Sequence, residues 1–153
     1  MKWVVFAVAG LAALVAIIAG IGSMFPRNHV ASRTLRVKRT PQDLWPVITE
    51  LMAASDVPTD IVESDPPRRL VSRVRESEKM FGGTWTVVLA PAAPSPGSSQ
   101  ADGSTVTITE DGWVANPIFR FMSRLVIGHH ATMDALLKNV AKRFNEEPSL
   151  SGE

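Results

Sequence analysis

A chain of 153 residues with 45% apolar content and a net charge of +1 has room for one domain plus an appendage, and it carries no global field that would draw nucleic acid. It contains no cysteine, which excludes disulfides, thiolate nucleophiles and zinc–thiolate sites. It contains no tyrosine either, so no phenol can act as a general acid.

The apolar content is concentrated at the start. Trp3 to Gly22, "WVVFAVAGLAALVAIIAGIG", holds no charged residue. Twenty helical residues span about 30 Å, the thickness of a bilayer's hydrocarbon core. Residues 1–24 are therefore expected to form a transmembrane anchor, followed by a linker over 25–29. A secretory signal peptide is the competing reading, with small residues from Gly20 to Ser23 for cleavage, but its apolar region runs only about 7–15 residues. Lys2 alone precedes the span, whereas Arg27, Arg33, Arg36, Lys38 and Arg39 follow it without an acid among them. The larger basic flank stays in the cytoplasm, so a single-pass protein with a cytoplasmic domain is expected. The same cluster is a candidate contact for anionic headgroups.

"HVASRTLRVKR" then alternates, with Ala31, Leu35 and Val37 on one side and polar residues on the other, interrupted once by Arg33. A period of two predicts a half-buried strand. "TPQDLWPVITELMA" opens with helix-start chemistry: Thr40 as N-cap, Pro41 at the first helical position and Asp43 completing a box-like spacing. Leu44, Trp45, Ile48 and Leu51 form its apolar face. "TDIVESDPPRRLVSRVRE" reads as two short strands around a turn at Asp65, Pro66 and Pro67. "GGTWTVVLAPA" and "STVTITEDGW" read as a hairpin whose long tip, "PAAPSPGSSQADG", is a Pro/Ser/Gly-rich loop.

Asn116 as N-cap and Pro117 at the first position predict a last, long helix. Ile118, Met122, Val126, Met133, Leu136, Leu137, Val140 and Phe144 recur mostly at three- and four-residue steps, His129 fills the one longer gap, and together they make one stripe over about seven turns. Gly128 interrupts it at a cost of about 1 kcal/mol and marks a potential bend. Residues 147–153 are expected to be a polar tail.

Residues 129–134 also spell H-H-x-x-x-D, a pattern certain acyltransferases use with histidine as general base. That chemistry needs both histidines on a loop at a domain junction of a far larger protein. Here His129 falls on the apolar stripe and His130 stacks one turn below Asp134, which predicts a His130–Asp134 hydrogen bond at the surface. A metal site from His130 and Asp134 would have helical spacing but no evident third ligand, so no metal is expected.

The order of elements, one strand, one helix, several antiparallel strands and a long terminal helix, predicts an α+β fold with the sheet covering the helix's apolar seam. "VKRTPQDLWPVITEL", "VESDPPRRLVSRV", "FGGTWTVVL" and "TITEDGWVANPIFRFMSRLVIGHHATMDALLKNV" resemble the SRPBCC superfamily, and within it the START-related, polyketide cyclase/dehydrase-like proteins, in a membrane-anchored version. The resemblance covers roughly residues 30–145, within a domain expected over 30–146, with a middle shortened to "MAASDVP" between the first helix and the E-S-D-P-P strand. It implies a helix-grip fold: an antiparallel sheet curved around the C-terminal helix, with an apolar cavity between them. On that implication Trp85, Ile118, Met122, Val126, His129 and Met133 would line the pocket, with no catalytic residue and no cofactor.

Three functions compete. A membrane-anchored, non-catalytic binder of a lipid or other hydrophobic small molecule gains effective concentration at the bilayer. A cyclase- or dehydratase-like enzyme would need a titrating group facing the cavity, and His129 is the one candidate. A ligand-free protein-interaction module would use an unpaired strand edge left by the shortened middle. The bilayer is the expected partner, together with a hydrophobic ligand and no nucleic acid.

Overall fold

Residues Lys2–Ser23 form one continuous helix, α1, and almost every side chain on it is exposed. It is the one helix among the described residues that is long and apolar enough to cross a membrane. The computed structural model describes residues 2–55, 58–75, 80–94, 102–128 and 130–152.

β1 (Asn28–Val37) begins inside the interval expected to be linker, and residues 24–27 connect it to α1. The alternation holds: Ala31, Leu35 and Val37 are buried on the inner face, which Arg33 shares, and Ser32, Thr34 and Arg36 lie on the other face. α2 (Pro41–Ala53) starts as its capping chemistry predicts. Thr40 Oγ1 accepts the Asp43 N–H at 3.3 Å, and Asp43 Oδ2 accepts the Thr40 N–H at 3.3 Å. Leu44 and Ile48 point into the core, with Trp45 and Leu51 packed at its margin. Pro46 falls early enough in the helix that few intrahelical N–H bonds are lost.

β2 (Thr59–Asp65) and β3 (Arg69–Val74) flank the Pro66–Pro67 turn, with a bulge between Ile61 and Glu63. β4 (Phe81–Pro91) and β5 (Ser104–Val114) pair over their full length, from Phe81 opposite Val114 to Pro91 opposite Ser104. Residues 95–101 of the loop expected at their tip lie outside the described residues.

Two expectations are corrected here. The terminal helix is not one rod. α3 (Pro117–Met122) passes into a π-helical turn (Ser123–Ile127), the helical path ends at Gly128 with φ of 81°, and α4 (Ala131–Arg143) starts afresh. Glycine supplies that left-handed backbone without a steric penalty. The break lets α3 pack on the end of α1, while α4 packs on β1 and α2. The polar tail is also partly structured: Ser149–Ser151 forms β6, pairing antiparallel with Thr34–Arg36.

Among the described residues the strands form one antiparallel sheet in the order β2-β3-β4-β5-β1-β6, giving an α+β fold. α4 lays Met133, Leu137, Val140 and Ala141 against Leu35, Val87, Val106 and Ile108, and α2 closes the side. An Arg143–Glu50 ion pair ties the two helices at the surface.

Candidate functional site

A side chain that borders a void large enough for water carries accessible area. Met133, Leu137, Val140, Ala141, Leu35, Val87, Val106 and Ile108 each carry 0%. Between α4 and the sheet these side chains leave no accessible area, so no water-sized void opens among them and the seam is closed.

The seam changes character toward the β1 start. The inward positions of β1 run Val37, Leu35, Arg33, Ala31, His29, and those of β5 run Ser104, Val106, Ile108, Glu110, Gly112, so both strands turn polar at the same end. His29 Nε2 lies 3.2 Å from Glu110 Oε1, with the two side chains 15% and 23% exposed. Gly112 makes room for this pair, since a Cβ there would stand 2.9 Å from the His29 ring. Arg33 Nε lies 3.0 Å from Asp134 Oδ1, both side chains 24% exposed. The N–H is not aligned on the oxygen, so charge rather than a directed hydrogen bond holds this pair.

The expected His130–Asp134 hydrogen bond is therefore replaced. Asp134 faces Arg33 across the seam, and His130 Nδ1 is buried with no hydrogen-bond partner among the described residues. Beside these groups, Trp85 stands opposite Glu110 on one side and Ser72 on the other, and the buried Ser72 hydroxyl also lacks a partner there.

The six positions expected to line a pocket fall into separate places. Met133 is core. Trp85 is half-buried at the core margin, next to the polar end. Ile118 and Met122 are half-buried in α3, and Val126, 61% exposed, projects from the π-helical turn. His129 lies outside the described residues. The break at Gly128 separates the α3 group from Met133, so the stripe on the sequence does not become one wall.

The polar pairs are not evident from hydropathy because the apolar alternation ends at Ala31 on one strand and at Ile108 on the other. Extending the period of two by one step on each strand puts both on the inner face.

A second surface lies at the α1 junction. Gly22 is buried in close contact with the Pro117 carbonyl, where no larger residue fits. Arg120, also buried, donates from Nη1 to the Phe25 carbonyl at 2.7 Å and from Nη2 to the Ala115 carbonyl at 3.4 Å. Arg27 accepts the Val114 N–H at 2.9 Å through its own carbonyl. These contacts clamp the connection between α1 and the sheet. A cavity of about 10 Å³ lies beside His29, Phe25 and Arg120, room for about one water. An open surface hollow of about 410 Å³ is bordered by Leu51, Asn139, Lys142 and Arg143. Neither touches any of the six expected pocket positions. Among the described residues no group of three His, Asp or Glu side chains could hold a metal ion.

No protein-family model matches the chain, and no curated protein matches it. Among solved structures it is similar to a conserved protein from Geobacillus kaustophilus, with a TM-score of 0.55 and 10% identity, over 80% of this chain and 99% of that one. A likeness at that identity concerns the fold alone.

Proposed function

We propose that this chain is a membrane-anchored, helix-grip-type domain that binds a lipid or other hydrophobic small molecule without transforming it. The SRPBCC resemblance supports the fold reading, and so do the meander β2-β3-β4-β5 returning to β1 and the packing of α4 against β1. The length and apolarity of α1 support a single membrane pass. Arg27, Arg36 and Lys38 remain exposed after that helix and support a cytoplasmic domain, whereas Arg33 and Arg39 are drawn into ion pairs with Asp134 and Glu146.

One observation carries the reading of the binding mode: the seam beneath α4 has no accessible area. On this reading a bound molecule would lie against Trp85 at the polar end of the seam or against Ile118 and Met122 on α3, and not inside a cup. The charged pairs there suit a polar headgroup, and α3 beside α1 suits an acyl chain. In the test, full-length protein is purified in mild detergent and its adducts are read by native mass spectrometry. A retained lipid-sized adduct that is lost in Trp85→Ala is expected, and bare protein in the parent spectrum would overturn the proposal.

An enzyme reading would rest on His29 oriented by Glu110, the arrangement of a general base with its carboxylate. The adjoining cavity accommodates about one water and no substrate, which favours a structural role for this pair. An interaction module would use β2, the edge strand opposite β6, but its bulge and its carboxylates, paired with Arg69 and Arg75, blunt that edge.

A further inference from the structure

We propose that residues 117–127, α3 with its π-helical turn, lie in the membrane interface as a second contact beside α1, on a leaflet containing anionic phospholipid. Within these eleven residues Phe119, Leu125 and Val126 are large, apolar and exposed, and Met24 at the end of α1 is 84% exposed. A soluble domain of this size buries such residues or scatters them singly, whereas here they gather on one short element.

The position of that element identifies what covers it. α3 packs on α1, and Pro117 touches Gly22, so the apolar patch begins at the level where the apolar run of α1 ends. The neighbouring surface of α1 already requires hydrocarbon around it. One apolar solvent serves both surfaces, and a protein partner would have to displace lipid from α1 to reach the patch.

Charge agrees with this placement. Arg124 is exposed with its guanidinium 5.2 Å from the Phe25 ring, and Arg27 is exposed on the same connection. Cations bordering an apolar face are the composition of an interfacial segment, where long side chains reach phosphate while the apolar residues enter the acyl boundary. Arg120 takes no part in headgroup contact, because its guanidinium is committed to the Phe25 and Ala115 carbonyls.

The inference rests on α1 crossing the bilayer, and the test separates the two. The chain has no cysteine, so single fluorescent labels can be placed without background. Full-length protein carrying Leu11→Cys, Leu125→Cys or Ile61→Cys is reconstituted into phosphatidylcholine vesicles with or without phosphatidylglycerol, containing acyl-brominated lipid as quencher. Quenching at Leu125 several-fold above that at Ile61, on the far edge strand, is expected. It should increase with phosphatidylglycerol, and Arg124→Gln should remove the increase. Quenching at Leu11 with none at Leu125 overturns this inference and leaves the anchor intact. No quenching at Leu11 overturns both. A Leu125 label shielded from aqueous iodide but not reached by the bromines would mean that protein covers the patch, which also overturns it.

Discussion

Truncating Met133 to alanine distinguishes a packed seam from a ligand cavity. Met133 has no accessible area and lies in the cluster that includes Leu35, Ile108 and Leu137. The substitution removes Cγ, Sδ and Cε from a site enclosed by α4 and the sheet. Large-to-alanine changes at such sites cost about 2–5 kcal/mol, the lost transfer energy plus the cavity left behind. Full enclosure argues for about 3 kcal/mol or more, a large share of the roughly 5–15 kcal/mol that stabilises a domain. For a domain of this size that corresponds to a fall in Tm of roughly 10 °C. Thermal unfolding of the full chain in detergent, followed by near-ultraviolet circular dichroism of its tryptophans, measures it. Val126→Ala, on the same sequence stripe but exposed, should change stability by no more than about 0.5 kcal/mol. A Met133→Ala loss below about 1 kcal/mol would refute the solid seam, because a cavity wall loses little packing when shortened.

Gly22→Leu should force α1 away from α3, since its side chain would enter the Pro117 carbonyl; faster tryptic cleavage after Arg27 is expected, and an unchanged rate would contradict the close contact. Thr40→Ala should lower stability by about 1 kcal/mol through loss of the N-cap, read as a shift in the urea midpoint. The Thr40 hydroxyl and amide hold the Asp43 carboxyl below its usual range. Its contribution is therefore complete above the unfolded-state value and lost as pH falls through the folded one, so the acid limb of stability should flatten in Thr40→Ala. Asp134→Asn should cost about 1–3 kcal/mol by leaving the Arg33 cation beside the core without its counter-charge, and Arg33→Met with Asp134→Leu should recover most of the loss. A double variant no more stable than the single one would refute the pairing.

Much of the architecture was legible because it follows from local rules. The alternation in β1 and β5, the Thr40–Asp43 cap and the turn at Pro66–Pro67 each depend on residues near one another, and each stands as expected. The terminal helix was legible only in part. The period from Ile118 to Val140 runs through Gly128 without a phase error, and nothing local says that the first half leaves the sheet to pack on α1. That choice is tertiary, made by Gly22 admitting Pro117 and by Arg120 binding the Phe25 carbonyl. β6 was missed for a different reason. Its pairing with Thr34–Arg36 is made by backbone, and a single Leu150 gives hydropathy little to register. The polar end of the seam needed cross-strand register, which puts His29 opposite Gly112 and Ala31 opposite Glu110 and so brings His29 to Glu110 across 81 residues of sequence.

The clamp at residues 22–27 also determines how the molecule moves. A tether of loose glycines would let the sheet tumble independently of its helix. Here the helix and the sheet share a stiff elbow, so on the membrane reading proposed above a bilayer whose thickness tilts α1 would swing the whole sheet through the same angle, and a rotation of the helix about its own axis would sweep the β2 edge along an arc.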